Sequence, residues 1–498
     1  MAGGVEMGAQ VDGRVHAGGA GLAPWWPRAV LALAALAVCG VLAGAYLRGG
    51  SLDEYATIYF ANPHVPWRTA WTQLWPGETN PPFFYIVARF WELVSGPGLF
   101  ARRLVNLLPL GFVLAWFGCA ARRYPAQRGF LLGLALFACS GKFLLLDFTQ
   151  YRDYFSQYCA ELVFLGAATL AYVARARRVD WFQLAALPVL VMFHQVTALY
   201  TAVLLAAVLL AEWRRGAYLR AVSLVCVAGA AAVPLLWFTW LQQHQAHSVL
   251  GEVSWITARG PLNAVYTILS HLMPAIGENY AAVLVAGAVL LRLEMRAPAL
   301  PVAWLWLVAG ATVAATGVIL VINHFAPLIV DRYFSFFAVE VMVLLALLLA
   351  PVFAARPRLA LLVGANAAVY VVYSVLTVPL DQGWRPDAAL VARLAGQCQG
   401  TRIHAGMRPD VPPERIGLAE VAARAHLALL PPGPDAPGRC PVIYWSEYGV
   451  PDAALIARDG GDVAQAANAA AGFGLDADEL AHARGILGKT GVIVVVRP

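Results

Sequence analysis

Two acids stand together directly after the first apolar run, in Ser51-Leu52-Asp53-Glu54. Ser51 is placed to cap a helix, which puts Asp53 in its first turn. There the helix dipole favours the anion, so Asp53 stays ionised and is able to accept a proton. Being a partner to the dipole is the plainer account of the same residue. Glu54 stands where a capping box would have it reach back, which explains it without chemistry. Successive helical residues point about 100° apart, so the two acids do not share one task. A third acid, Glu78, precedes Thr79-Asn80-Pro81-Pro82, where proline suits a helix's first turn. Either Glu78 or Asn80 stands beside Asp53 as a substrate-binding group, or Thr79 or Asn80 is a cap and Glu78 a solvated charge.

The cations that could answer these acids come later. Arg152, in Tyr151-Arg152-Asp153-Tyr154, carries a permanently charged fork that suits phosphate; a local pair with Asp147 or Asp153 is the alternative. Tyr154 supplies a hydroxyl beside it. Lys142 lies inside an apolar run and needs either a partner or an anionic ligand, unless it snorkels outward. Arg332 and Tyr333 flank the mouth of a later span, where the arginine binds phosphate or anchors at the interface. His324 lies just before them. His194 sits in an apolar run, where a lone histidine is more often a hydrogen-bonded structural residue than a substrate contact. No two histidines have metal-ligand spacing on one helix, and the seven cysteines contain no CxxC. A divalent cation is compatible with the site but not indicated by it, and no cofactor is called for. Cys398 and Cys440 can pair if the tail lies outside the cytosol.

These residues must be held by membrane helices. The chain has 498 residues, 60% hydrophobic and 13% charged, with mean hydropathy +0.66; soluble domains are about 25% charged. The expectation is a mainly α, polytopic membrane protein with about eleven transmembrane helices. Apolar runs fall at about 29–46, 102–120, 129–147, 154–174, 181–197, 198–213, 218–240, 279–295, 300–322, 333–352 and 358–378. A tight turn near His194-Gln195 divides 181–213. The segment 81–95 is aromatic, short and interrupted by Arg89 and Glu92, so it reads as a helix lying on the membrane. With 81–95 flat, the arginine clusters at 122–128, 175–178, 214–220, 292–296 and 356–358 share one face. The positive-inside rule makes that face cytoplasmic. The net charge of +6 therefore reflects topology and gives no reason to expect nucleic acid. The opposite face receives the 47–101 loop, the Asp147–Tyr154 turn, the His194 turn and the tail.

Three regions follow: a disordered cytoplasmic N-terminus at 1–24, a transmembrane domain at 25–380, and a small α/β domain at 381–498 outside the membrane. The N-terminus lacks a cleavable signal pattern. The tail has helix-like stretches near 387–396, 417–429 and 476–487, and neither GxGxxG nor a P-loop. No internal repeat is visible.

The order of these motifs resembles the GT-C glycosyltransferases, in the branch of dolichyl-phosphate-mannose protein mannosyltransferases and lipid A aminoarabinose transferases. The matching pieces are Asp53-Glu54, Glu78-Thr79-Asn80-Pro81-Pro82-Phe83-Phe84-Tyr85, Tyr151-Arg152-Asp153-Tyr154 and Arg332-Tyr333, across roughly 29–350. Glu78 stands where many relatives have Asp, and Asn80 where many have His. The resemblance implies a polyprenyl-phosphate-linked sugar donor, a lipid, glycan or protein acceptor, and catalysis at the periplasmic face of a bacterial inner membrane. It implies Asp53 as the base. The charge developing on a leaving phosphate needs fixed cations, which Arg152, Arg332 and Lys142 can supply, with Tyr154 or Tyr333 as hydrogen-bond donors. Two other classes remain open: a lipid or sugar transporter or flippase, and an O-antigen polymerase or ligase.

Overall fold

Runs of Ala, Leu and Val satisfy their own backbone as helices, which is what a lipid environment requires. The computed structural model of the chain describes residues 25–78, 80–245, 261–277, 279–290, 301–325, 329, 334–377, 385–398, 400–405, 412–427, 440, 442–446, 462–468, 474–475 and 492–497. The expected disorder of 1–24 and the helix near 476–487 lie outside these residues.

The first helix, α1 (Trp26–Leu47), leads into α2 (Leu52–Phe60), a short α3 (Trp67–Thr69) continued by irregular helical turns to Gly77, α4 (Phe83–Ser95) and α5 (Leu99–Arg103). The bundle continues with α6 (Leu107–Arg123), α7 (Arg128–Ser140), α8 (Lys142–Phe148), α9 (Tyr154–Val173), α10 (Trp181–Met192), α11 (Gln195–Arg214) and α12 (Tyr218–Gln245). It is completed by α13 (Pro261–Gly277), α14 (Tyr280–Leu290), α15 (Val302–Phe325), α16 (Phe336–Ala355) and α17 (Pro357–Thr377).

Among the described residues, seven helices are long and apolar enough to cross a membrane: Trp26–Leu47, Leu99–Arg123, Gln195–Arg214, Tyr218–His244, Val302–Phe325, Phe336–Phe353 and Arg358–Thr377. The run at 129–147 is broken at Gly141 into α7 and α8, and that at 181–197 yields the shorter α10. α9 is twenty residues long and almost wholly buried, packed against α6, α8, α10, α11 and α16.

Among the described residues α7 and α16 share an extensive helix contact, and glycine lets them approach. A Cβ at Gly129 would stand 3.3 Å from the Ala350 carbonyl, one at Gly133 3.4 Å from the Ala346 Cα, and one at Gly141 2.8 Å from Met342 Cε. Small residues at such spacing let two helix backbones approach in lipid.

The first loop has its own core: Ala61, Ala70, Trp75, Phe84, Tyr85 and Ala88, joined by Val105 before α6, Tyr151 of the turn between α8 and α9, and Phe238 of α12. α4 has thirteen residues, about 20 Å at 1.5 Å each, shorter than a hydrocarbon core of about 30 Å. One face is buried through Phe83, Phe84, Tyr85, Ala88 and Arg89, while Phe90, Leu93 and Val94 are exposed. Its two charges are tied down. Arg89 donates to the Pro63 and Val65 carbonyls and lies over the Trp67 ring, and Glu92 accepts from Arg102 at 2.8 and 3.0 Å.

The tail forms α18 (Arg385–Ala395), β1 (Arg402–Ala405), α19 (Pro412–Arg424), β2 (Val442–Ser446), β3 (Asp462–Asn468), β4 (Gly474–Leu475) and β5 (Val492–Arg497). The strands make one sheet in the order β1-β2-β5-β3-β4, parallel between β1 and β2 and antiparallel elsewhere. A disulfide joins Cys398 to Cys440, just before β2. The tail's apolar core contains Val391, Ile403, Leu418, Val421, Ile443 and Trp445, together with Tyr55 from α2. The tail and the first loop therefore touch.

Candidate active site

Three successive residues of α2 take three different partners, as their 100° spacing dictates. Asp53 faces Arg152, Glu54 faces Arg103, and Tyr55 donates its hydroxyl to Glu420 of α19. Gly50 makes room for the last of these, because a Cβ there would lie 2.1 Å from the Tyr55 hydroxyl oxygen.

Glu54 is fully buried. Arg103 Nε donates to its Oε1 and Nη2 to its Oε2, each at 2.8 Å, and the Tyr151 N–H donates to Oε1 at 2.8 Å. The remaining Arg103 donors reach the carbonyls of Ala45, Arg48 and Gly49 at the end of α1. Burial alone would push the Glu54 carboxyl up. The charge and hydrogen bonds of Arg103, the charge of Arg48 and the Tyr151 N–H outweigh it, and the net direction is down. The expected capping box is not formed: Ser51 is the N-cap by its backbone but makes no side-chain cap bond. Its hydroxyl instead points to Glu54 Oε2 at 3.4 Å. The stronger charge-assisted fork of Arg103 has taken the carboxylate that the box would have used.

Arg152 lies in the turn between α8 and α9 and is the pivot of the site. Its Nη1 donates to Tyr85 Oη at 3.0 Å and to Thr57 Oγ1 at 3.4 Å, and its Nη2 lies 3.5 Å from Asp53 Oδ1. Thr57 is one helical turn beyond Asp53 and donates to the Asp53 carbonyl at 3.1 Å. Arg152 Nε is buried and has no hydrogen-bond partner among the described residues. The Arg152 side chain is 5% exposed and that of Asp53 18%, so the acid is the more accessible of the pair. Burial opposes the Arg152 charge, but Tyr85, Asp53, Tyr154 and Glu78 more than restore it. The Tyr85 hydroxyl is pushed well above its ordinary range by burial and by Glu78, with Arg152 opposing. It remains a phenol, accepting from Arg152 while keeping a proton to donate.

Glu78 sits at the edge of this group. Asn80 Nδ2 lies 3.4 Å from its Oε1, Gln242 donates to its carbonyl at 2.6 Å, and Gln195 donates to Gln242 at 3.0 Å. His194 is the N-cap of α11, its Nδ1 accepting from the Val196 N–H at 3.2 Å, which accounts for the turn between α10 and α11. His324 is exposed in the last turn of α15, its ring centroid 5.1 Å from that of Phe325. Among the described contacts, none joins it to Asp53 or Arg152. Lys142 opens α8, but its side chain, like Arg332 and Tyr333 entirely, falls outside the described residues.

The structure thus brings together Asp53, Arg152, Tyr154, Glu78 and Asn80, and adds Tyr85 and Thr57 as direct partners of the arginine. Thr57 was legible as the residue four after Asp53. Arg103, which braces the whole loop, was not singled out from sequence. Its signal is that Arg102-Arg103 stands at the start of the span Leu99–Arg123, at the end opposite the arginine cluster 122–128. Together these groups can accept a proton on an ionised carboxylate within reach of a fixed guanidinium that steadies a second anion. Searches against protein-family models, curated proteins and solved structures find nothing that matches this chain.

Proposed function

We propose that this protein is a membrane glycosyltransferase that moves a sugar from a polyprenyl-phosphate donor to an acceptor hydroxyl at the outer face of a bacterial inner membrane. The observation that carries the reading is the Asp53–Arg152 pair, a first-turn carboxylate beside a buried guanidinium with one unengaged N–H. In the reaction the acceptor oxygen attacks the anomeric carbon and gives its proton to Asp53. The bond from that carbon to the phosphate oxygen breaks, and the lipid phosphate leaves with the electron pair. Arg152 compensates the charge that develops on it, and the Tyr85 and Tyr154 hydroxyls are placed to hydrogen-bond the same oxygens. A single displacement inverts the anomeric configuration. Lys142, Arg332 and Tyr333 complete the phosphate contacts in this reading, with Asn80, Glu78, His194 and His324 on the substrate side. Glu54 serves the same site as a brace, since both its oxygens are engaged by Arg103.

The proposed topology has about eleven passes, a cytoplasmic N-terminus and a periplasmic C-terminal domain. The arginine clusters support the orientation. The Cys398–Cys440 disulfide suits an oxidising compartment, and the docking of the tail on α2 suits a shared side.

The test is sugar transfer from radiolabelled polyprenyl-phosphate sugars in vesicles, comparing wild type with Asp53→Asn. Wild type should consume donor and the variant should not, with unchanged thermal unfolding. Equal transfer by both would remove Asp53 as base. Donor left untouched by both, across a broad sugar panel, would favour the transporter class instead.

A further inference from the structure

At the start of α9 polar residues recur every fourth position: Asp153, Gln157 and Glu161. That spacing places them on one helix face. Gln157 Nε2 donates to Asp153 Oδ2, and the Thr197 hydroxyl of α11 donates to Gln157 Oε1. One turn deeper, Tyr200 of α11 and Thr312 of α15 both donate to Glu340 Oε1 of α16. Glu161 is 3% exposed and its Oε1 has no hydrogen-bond partner among the described residues; Glu340, which is partly exposed, is the other carboxyl acting on it. The ladder stops there. Leu165 takes the next position on the stripe, and beneath it Thr169 is occupied by the indole N–H of Trp304 at 3.1 Å.

Two neighbouring carboxyls inside an apolar bundle need compensation. Uncompensated buried anions are costly, and intramembrane acids pair with one another or with a cation. Neither Glu161 nor Glu340 makes an ion pair among the described residues. Among the described residues, the titratable groups at this point on the helices packed around it are Glu161 on α9, Tyr200 on α11 and Glu340 on α16. Every one is neutral or acidic, so no described residue supplies a positive charge here.

We propose that Glu161 and Glu340, with the hydroxyls of Tyr200 and Thr312, bind one small monovalent cation, a proton or a sodium ion. The cation enters from the Asp153 end, beside Arg152, along the Gln157–Thr197 step. Because the stripe closes below Glu161, the occupant leaves by the way it came. The site is an ion lock within the bundle rather than a through-path, and it stands whether or not the transferase reading does.

The experiment uses the full chain in lipid nanodiscs. Thermal unfolding is measured as choline is replaced by sodium at constant ionic strength, and infrared difference spectra report protonated carboxyl groups. If sodium is the occupant, the unfolding temperature rises with sodium, and the rise disappears in Glu161→Gln/Glu340→Gln, whose side chains are neutral and isosteric. If the proton is the occupant, sodium has no effect and a protonated-carboxyl band is present that the double variant lacks. Thr312→Val leaves both acids and removes one hydroxyl donor. It should raise the sodium concentration for half the effect about tenfold, the worth of one hydrogen bond, or shift the infrared band. The proposal is overturned if wild type shows neither sodium dependence nor the band, or if either persists in the double variant. Should the double variant not fold, an unchanged response in Thr312→Val overturns it equally.

Discussion

At the scale of single residues, Asp53 and Glu54 differ by one position and have opposite fates. Asp53 remains partly exposed against a guanidinium, whereas Glu54 is sealed in a bidentate pair whose side chains are 0–1% exposed. Removing one partner of such a buried pair costs about 3–5 kcal/mol. Glu54→Gln should therefore lower the yield and unfolding temperature of the purified protein sharply, while Asp53→Asn should leave both near wild type; differential scanning fluorimetry separates them. The direction with pH follows from the depressed Glu54 carboxyl. Its contribution to stability is fully present above the unfolded value of about 4.3 and is lost as pH falls through the lower folded value. The Glu54→Gln variant should show a weaker acid-induced loss than wild type below pH of about 4. At Arg152 the prediction concerns transfer: Arg152→Lys keeps the charge but loses the fork, and transfer should fall about a hundredfold without a change in unfolding temperature.

At the scale of elements, what could be read in advance was whatever follows from local pattern. The short helix α4 was readable from the length and aromatic content of 81–95, the α10–α11 turn from His194-Gln195, and α18 and α19 from their helix-like stretches. What could not be read depended on distant partners. Gly141 separates α7 from α8 beside Met342 of α16, a neighbour about two hundred residues away in sequence. Arg103 leaves its span's end to hold Glu54 and the last carbonyls of α1, a set no local window contains. The pairing of Asp53 with Arg152 was anticipated only as residues facing the same side. The α7–α16 contact gives a prediction of its own. A larger side chain at Gly133, which packs on the Ala346 backbone, should separate the two helices and cost about 1–3 kcal/mol. Gly133→Val should reveal this as a lowered unfolding temperature, with Gly118→Val, at a position with open space, as the control.

At the scale of the whole molecule, the tail is fastened to the helix that carries Asp53. Tyr55 and Ile58 lie in the tail's core, Glu420 takes the Tyr55 hydroxyl, and Arg424 holds Glu420 at 2.8 Å. The disulfide at 398–440 closes a loop of 42 residues, which in the chain-entropy picture is worth about 4 kcal/mol. In intact cells Cys398 and Cys440 should resist a membrane-impermeant maleimide until a reductant is added, and gel shifts of tagged protein would read this directly. Labelling without reductant would place the pair in its thiol form.

The arrangement of the sheet has a consequence for how the protein is made. β5 supplies residues 492–497 yet lies in the middle, between β2 and β3. In the proposed topology, the sheet cannot close until that strand, the last in chain order, has been delivered across the bilayer. During biosynthesis α19 and β2 can already meet the Tyr55 face of α2, while the open edge of β2 waits uncovered for the last strand to arrive. A nascent chain stopped before β5 would present that unfinished edge to quality-control proteases, and pulse-chase degradation of such a truncated chain should be faster than that of the full one.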